Sequence, residues 1–338
     1  MTQKIKWIES LRGISCLIVL FAHILSVHPR YGIYASGCGK IGVWIFMLLS
    51  GMLLIKPDNM NSVNLQLKQI PKYYLNKLLK LYPAYFLTVL LIYMLNFIDR
   101  SNLFSVLTFQ GSWGHLWYMP VIIKFYIISP VFILLVCFLK RLQQTHWHYL
   151  YGGVLCILSI IFIFAYPYNT YVENSISLKW YIPVFIFGLL ISLLLSKIKE
   201  QKKSFVFDLS AILCIVLVVL QTPLAREVIF NITPSKYLQN KYLTLGLLFA
   251  LFIIFTSKSN ITKTILDKSI LLQKTGEYSF YIYLVHYPIL LKLNSICPSF
   301  KLCAGLTIVA SIGSAIILHY ICSKVLILYH SLTNKQAS

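Results

Sequence analysis

The sequence predicts an all-α fold, a polytopic bundle of membrane helices, and two observations carry that expectation. Hydrophobic residues make up 58% of the 338-residue chain against 12% charged, with a mean hydropathy of +0.76. That leaves too little polar surface to cover a soluble globule. Apolar runs of helical length also recur from end to end, with no polar stretch long enough for a soluble domain, so one membrane domain is expected over residues 1–338.

The runs fall near 13–27, 41–55, 81–98, 116–139, 149–166, 180–195, 205–220, 242–256, 276–293 and 302–322, giving about ten helices. The first opens on Glu9-Ser10-Leu11-Arg12-Gly13 and carries His23. At the helical rise, Arg12 and His23 lie about 16 Å apart, the distance from membrane surface to mid-membrane. Ionisable groups there are costly unless they have partners or work, so both are candidate site residues. This stretch lacks a small-residue cleavage site and is expected to stay as a helix rather than leave as a signal peptide. The second run, Gly42 to Gly51, has small residues at both ends and reads as a packing helix.

The link from Lys56 to Lys80 alternates Lys with Leu, Ile and Tyr, a pattern suited to a helix lying along the inner interface. Lys77 and Lys80 share a helical face, where they either hold a phosphorylated ligand or serve as orientation charges. In the fourth run Trp117 and Tyr118 fit an interfacial aromatic belt. Lys124 lies too deep to snorkel and is expected to face the bundle interior. The ninth run places Ser279, Tyr283 and Tyr287 or His286 at helical steps, a polar stripe that either packs or functions. His286 sits about 14 Å beyond Glu277, at a depth like that of His23, so the two histidines are expected to share one cavity. A neutral imidazole takes a proton near neutral pH, as general-base catalysis requires.

A formal charge of +21 raises nucleic acid as a partner, and charge placement excludes it. With the N-terminus inside, twenty of the thirty Lys and Arg residues fall in inner segments and nine in outer ones. That split predicts both termini in the cytoplasm and an attraction to anionic lipid. Five of the eight cysteines (16, 137, 156, 214 and 322) lie in apolar runs and behave as small hydrophobes, while Cys38, Cys297 and Cys303 lie near the outer face in no recognisable disulfide pattern. There is no metal-ligand spacing, internal repeat or glycine-rich phosphate loop.

With these residues in view, the chain resembles the acyltransferase-3 family of integral membrane O-acyltransferases over most of its length. The resemblance rests on Glu9, Leu11-Arg12-Gly13 and His23, then Gly42-Val43 with Phe46 and Leu49-Ser50-Gly51, the basic pair before Pro83, Leu116-Trp117 with Phe125-Tyr126 and Pro130, and Tyr278-Ser279 with Ile282 to His286. Two positions depart from the family. The usual arginine pair is Lys77 and Lys80, which keep charge but lose bidentate phosphate geometry, and the acidic position after the tryptophan is Ile122 or Ile123. The resemblance is to the stand-alone form of the family, without the esterase-like domain that some members carry.

The resemblance implies an O-acetyltransferase of the bacterial cytoplasmic membrane, moving an acyl group from acetyl-CoA or another acyl-CoA to a sugar hydroxyl of a cell-surface polysaccharide or its lipid-linked precursor. It implies His23, Arg12 and His286 as the catalytic set. Arg12, Lys77 and Lys80 would hold coenzyme A, a donor substrate rather than a tightly bound cofactor. Glu9, Trp117, Lys124, Tyr126 and Tyr283 are expected to line the substrate path, with acceptor specificity in the outer links 28–40, 99–115 and 221–241. The competing reading is a glycan or lipid transporter, since polar residues inside a bundle also mark transport paths. The paired interrupted segments of inverted repeats are not evident.

Overall fold

In a bilayer the backbone has no partner but itself, so long apolar stretches fold as helices. The computed structural model describes residues 5–35, 37–142, 145–165, 176–197, 204–231 and 242–335, and among them it contains helices and no strand. In order these are α1 (Lys6–Ser26), α2 (Gly32–Ala35), α3 (Gly39–Met52), α4 (Ile70–Met94), α5 (Arg100–Leu107), α6 (Tyr118–Leu142), α7 (Trp147–Ala165), α8 (Ile182–Lys197), α9 (Phe205–Val219), α10 (Pro223–Phe230), α11 (Tyr242–Lys258), α12 (Ile261–Lys268), α13 (Ile270–Asn294) and α14 (Phe300–Lys335). Every apolar run of the sequence overlaps a helix of this set.

The chain is an integral membrane protein of helical class. Among the described residues five helices are long and apolar enough to cross a membrane, or up to seven if each of two bent pairs is one span. Length and composition thus support fewer crossings than the ten apolar runs suggested. The two pairs, α9 with α10 and α11 with α12, turn by 86° and 87° at their breaks, while α7 and α8 are apolar but short. Large side chains such as Leu213, Val216, Val309 and Ile317 stay exposed on α9 and α14, as expected where the surrounding solvent is lipid.

The link before α4 is not a separate interfacial helix. It forms two 3₁₀ turns, Pro57–Asn59 and Leu67–Gln69, and α4 begins at Ile70 and runs unbroken through Lys77, Lys80 and Pro83. Two tyrosines of its first turns explain this, since they tie it to α6: Tyr73 and Ser129 share a hydroxyl hydrogen bond of 2.5 Å, and Tyr74 donates to the Ile127 carbonyl at 2.7 Å.

The centre of the molecule is the pair α1 and α13, the most extensive helix contact. Their backbones meet at two glycines. A β-carbon on Gly276 would fall 1.9 Å from the Glu9 carbonyl oxygen, and one on Gly13 would fall 2.2 Å from that of Leu272. Small residues permit such an approach where van der Waals contact must hold membrane helices together. The helices then run parallel and in register: ten residues beyond the glycines, His23 meets His286. Gly51 of α3 and Gly188 of α8 form a second close crossing, consistent with the packing role expected of the Gly42–Gly51 stretch.

The break between α11 and α12 is held by a buried carboxylate. Asp208 of α9 accepts hydrogen bonds from the backbone N–H groups of Asn260, Ile261 and Thr262 at 2.8–3.3 Å and from the Thr262 hydroxyl at 2.9 Å. It supplies the cap and negative charge that a helix N-terminus favours. Ser10 of α1 donates to the Leu266 carbonyl at 2.6 Å, so α12 delivers the chain to α13 in contact with α1. All eight cysteines are free.

Candidate functional site

The register of α1 on α13 sets a histidine pair between the two helices. His23 Nδ1 lies 2.7 Å from His286 Nε2, with the rings stacked at 5.0 Å and 11°. Their proton positions follow from the next bonds. His286 Nδ1 faces two carbonyl oxygens of its own helix, Ile282 at 3.0 Å and Tyr283 at 2.8 Å. Carbonyls only accept, so Nδ1 carries the proton and the neutral ring's Nε2 is an acceptor. His23 Nδ1–H therefore donates to it, and the His23 lone pair is left on Nε2. That atom looks toward Gly39, where an added β-carbon would lie 3.5 Å away.

A third histidine joins them. Gly114, at a φ of +49°, takes the left-handed turn before α6, and any β-carbon there would meet the Tyr287 ring at 2.9 Å. This turn presses His115 against the pair, with its ring 4.8 Å from His286 and 6.3 Å from His23. His115 Nε2 lies 3.0 Å from the Leu284 carbonyl, and its buried Nδ1 has no hydrogen-bond partner among the described residues.

Two chambers approach this cluster along the bundle. The Arg12 chamber, of about 490 Å³, is lined by Glu9, Arg12, Lys56, Lys77, Lys80, Tyr126 and Glu277 among others. Arg12 Nη1 sits 3.4 Å from Glu9 Oε1. Lys77 Nζ lies over the Tyr126 ring at 4.1 Å, a cation–π contact that holds the ammonium without supplying a counter-charge. The His23 chamber, of about 260 Å³, is lined by His23, His115, Trp117, Lys40, Ser26 and Tyr283 with several small and apolar residues. Tyr283 lines both chambers, and its hydroxyl donates to the His115 carbonyl.

The residues singled out in sequence thus divide. Glu9, Arg12, Lys77, Lys80 and Tyr126 face the first chamber, His23 and Trp117 the second, Tyr283 faces both, and His286 backs His23. Lys124 lies outside both and donates to the Ile176 carbonyl at 2.9 Å. Sequence reasoning passed over His115, Lys40 and Lys56 as site residues. His115 precedes the helix and shows no periodicity, and the two lysines read as orientation charges. Of the outer links, 28–40 and 99–115 contribute Ala35, Gly37, Gly39, Lys40 and His115 to the second chamber. Positions 232–241 lie outside the described residues.

The acyltransferase-3 family model, described as an acyltransferase domain, matches residues 5–324, nearly the whole chain. No curated protein and no solved structure matches it.

Proposed function

The chain belongs to the acyltransferase-3 family, and from that premise we propose that it is a membrane O-acetyltransferase. It would move an acetyl group from acetyl-CoA to a sugar hydroxyl of a cell-surface polysaccharide or its lipid-linked precursor, in the bacterial cytoplasmic membrane. The observation that supports this most is the directed lone pair on His23. The chain of Ile282 and Tyr283 carbonyls, His286 and His23 sets one tautomer and leaves Nε2 as a base facing a chamber.

The donor occupies the Arg12 chamber, which opens to the cytoplasm if the charge balance sets the orientation. Arg12, Lys56, Lys77 and Lys80 offer charge-assisted hydrogen bonds to the phosphates of coenzyme A, and the thioester arm extends toward Tyr283. The acceptor occupies the His23 chamber. His23 Nε2 takes the proton of the acceptor hydroxyl as its oxygen attacks the thioester carbonyl. The C–O bond forms, the C–S bond breaks, and the departing thiolate takes the proton from His23. His286 orients the imidazole and shares the charge it gains, and Tyr283 stands where the thioester must pass between the chambers.

The test compares envelope glycans from cells with the intact protein, with His23→Ala at equal level, and with the gene deleted. Removing a general base costs about 10²–10⁴-fold in rate. An acetyl-sized mass increment present with the intact protein and absent in the other two supports the reading. Glycans acetylated alike in all three, with export lost on deletion, would replace it with transport.

A further inference from the structure

Resting on the acyl-transfer reading, we propose that the acceptor is an anionic sugar, a glycan unit bearing a carboxylate or phosphate that Lys40 holds in the His23 chamber. The lining of that chamber contains one lysine and no carboxylate. The Arg12 chamber is different in kind, because Glu9 and Glu277 face its cations. Lys40 forms no ion pair or hydrogen bond with any described residue. Its ammonium lies 5.9 Å from the Trp117 ring centroid. A ring face attracts a cation but offers no lone pair to its three N–H donors. A charge placed inside a membrane protein without a counter-charge is expensive and marks a place where a ligand supplies one.

His115 provides an independent observation. Its Nε2 proton is taken by the Leu284 carbonyl, so Nδ1 holds a lone pair that is buried and unpartnered. Buried polar atoms nearly always have a partner, and one hydroxyl donating to Nδ1 would provide it. The chamber walls therefore ask for three things at once: an anion for Lys40, a hydroxyl proton for His115 Nδ1, and a second hydroxyl for His23 Nε2. Trp117 adds an apolar face. An acidic sugar ring carries all of these on one small body, and the volume of about 260 Å³ suits one ring better than an extended chain. A neutral sugar would leave Lys40 unanswered, and a fatty alcohol would leave both Lys40 and His115 so.

The experiment uses the full-length protein in native membranes with acetyl-CoA. Glycan isolated from the gene-deleted strain is the acceptor, offered intact, with its carboxyl groups reduced to alcohols, or with its phosphates removed. The proposal expects acetylation of the intact glycan and at least a tenfold rise in acceptor KM after one of the two treatments. Carboxyl reduction identifies a carboxylate and dephosphorylation a phosphate. Lys40→Met should raise the KM for intact glycan by a similar factor and erase the difference between intact and treated acceptor, while Lys40→Arg restores both. Acetyl-CoA binding by Lys40→Met protein verifies that it is folded. Equal KM for intact and treated glycan overturns the inference and leaves acyl transfer standing. Absence of acetyl-CoA-dependent labelling on any glycan overturns the acyl-transfer reading and the inference with it.

Discussion

The two chambers solve opposite electrostatic problems with different materials. The Arg12 chamber gathers four cations from α1, α4 and the start of the link before α4, and tempers them with two carboxylates. Its ionic groups come mainly from the first half of α1, α4 and α13. The His23 chamber lies at the other end of α1, beside the start of α3, and holds one lysine and two histidines whose lone pairs are set by backbone carbonyls. In the second chamber the protein relies mainly on neutral groups whose direction is fixed by hydrogen bonds. In the proposed mechanism grip and chemistry are thus separated along about 16 Å of α1.

The largest effect expected from breaking this contrast comes at the joint between the histidines. His286→Leu removes the acceptor that fixes the His23 tautomer, and we expect acetyl transfer to fall by about 10²-fold with donor KM little changed, because the lost function is orientation rather than grip. His286→Gln places an amide oxygen where Nε2 was, able to accept the same proton, and should retain clearly more activity than leucine. Steady-state rates with labelled acetyl-CoA in membranes decide the matter. Equal loss in both variants would mean that volume, not the proton acceptor, is what His286 supplies.

The Arg12 chamber was the more legible of the two in sequence, for the same physical reason. Glu9, Arg12, Lys77 and Lys80 stand out as ionic side chains just ahead of the first and third apolar runs, which alone groups them at one end of the bundle. That His23 and His286 stand at one level was legible too, by the arithmetic of helical rise. Their contact was not, since it depends on Gly13 and Gly276 bringing two helices, 263 positions apart, into parallel register. Glycine in a membrane helix announces close packing but not with whom. His115 and Lys40 were illegible as site residues. One sits on a 3₁₀ turn without period, the other at a helix start where any lysine reads as topology. Lys124 shows the converse, a lysine conspicuous in sequence whose partner is the Ile176 carbonyl at 2.9 Å. The alternating link before α4 had the composition of an interfacial helix, and Tyr73 and Tyr74 fastened its second half to α6 instead.

A smaller effect should separate grip from chemistry. Lys77→Ala or Lys80→Ala removes one charge-assisted contact to a donor phosphate, worth about 1.5–3 kcal/mol, or about a 10- to 100-fold rise in acetyl-CoA KM. Because Lys80 is exposed, its effect should lie at the bottom of that range and weaken further in high salt. The rate at saturating donor should hold. A fall in that rate with unchanged KM would show these lysines acting on the transition state rather than on binding, and would erase the division between the chambers.

The gentlest probe is one methyl group. Gly39 opens α3 beside His23, and a β-carbon there would stand 3.5 Å from Nε2 and 3.7 Å from the Ala22 β-carbon, ordinary contact distances that require no backbone shift. Gly39→Ala should therefore fold normally, yet place its methyl where an acceptor hydroxyl must come within hydrogen-bond reach of Nε2. A misplacement of about 1 Å at a reacting centre costs up to 10²-fold. With the sugar free to tilt, we expect a loss of about threefold to tenfold in kcat/KM for the acceptor and no change in donor KM. Because the methyl carries no charge, the loss should be the same for anionic and neutralised acceptors, whereas the loss in Lys40→Met falls on the anionic acceptor alone. A Gly39→Ala protein as active as the wild type would move the reacting hydroxyl to another face of His23, and with it the assignment of the chamber.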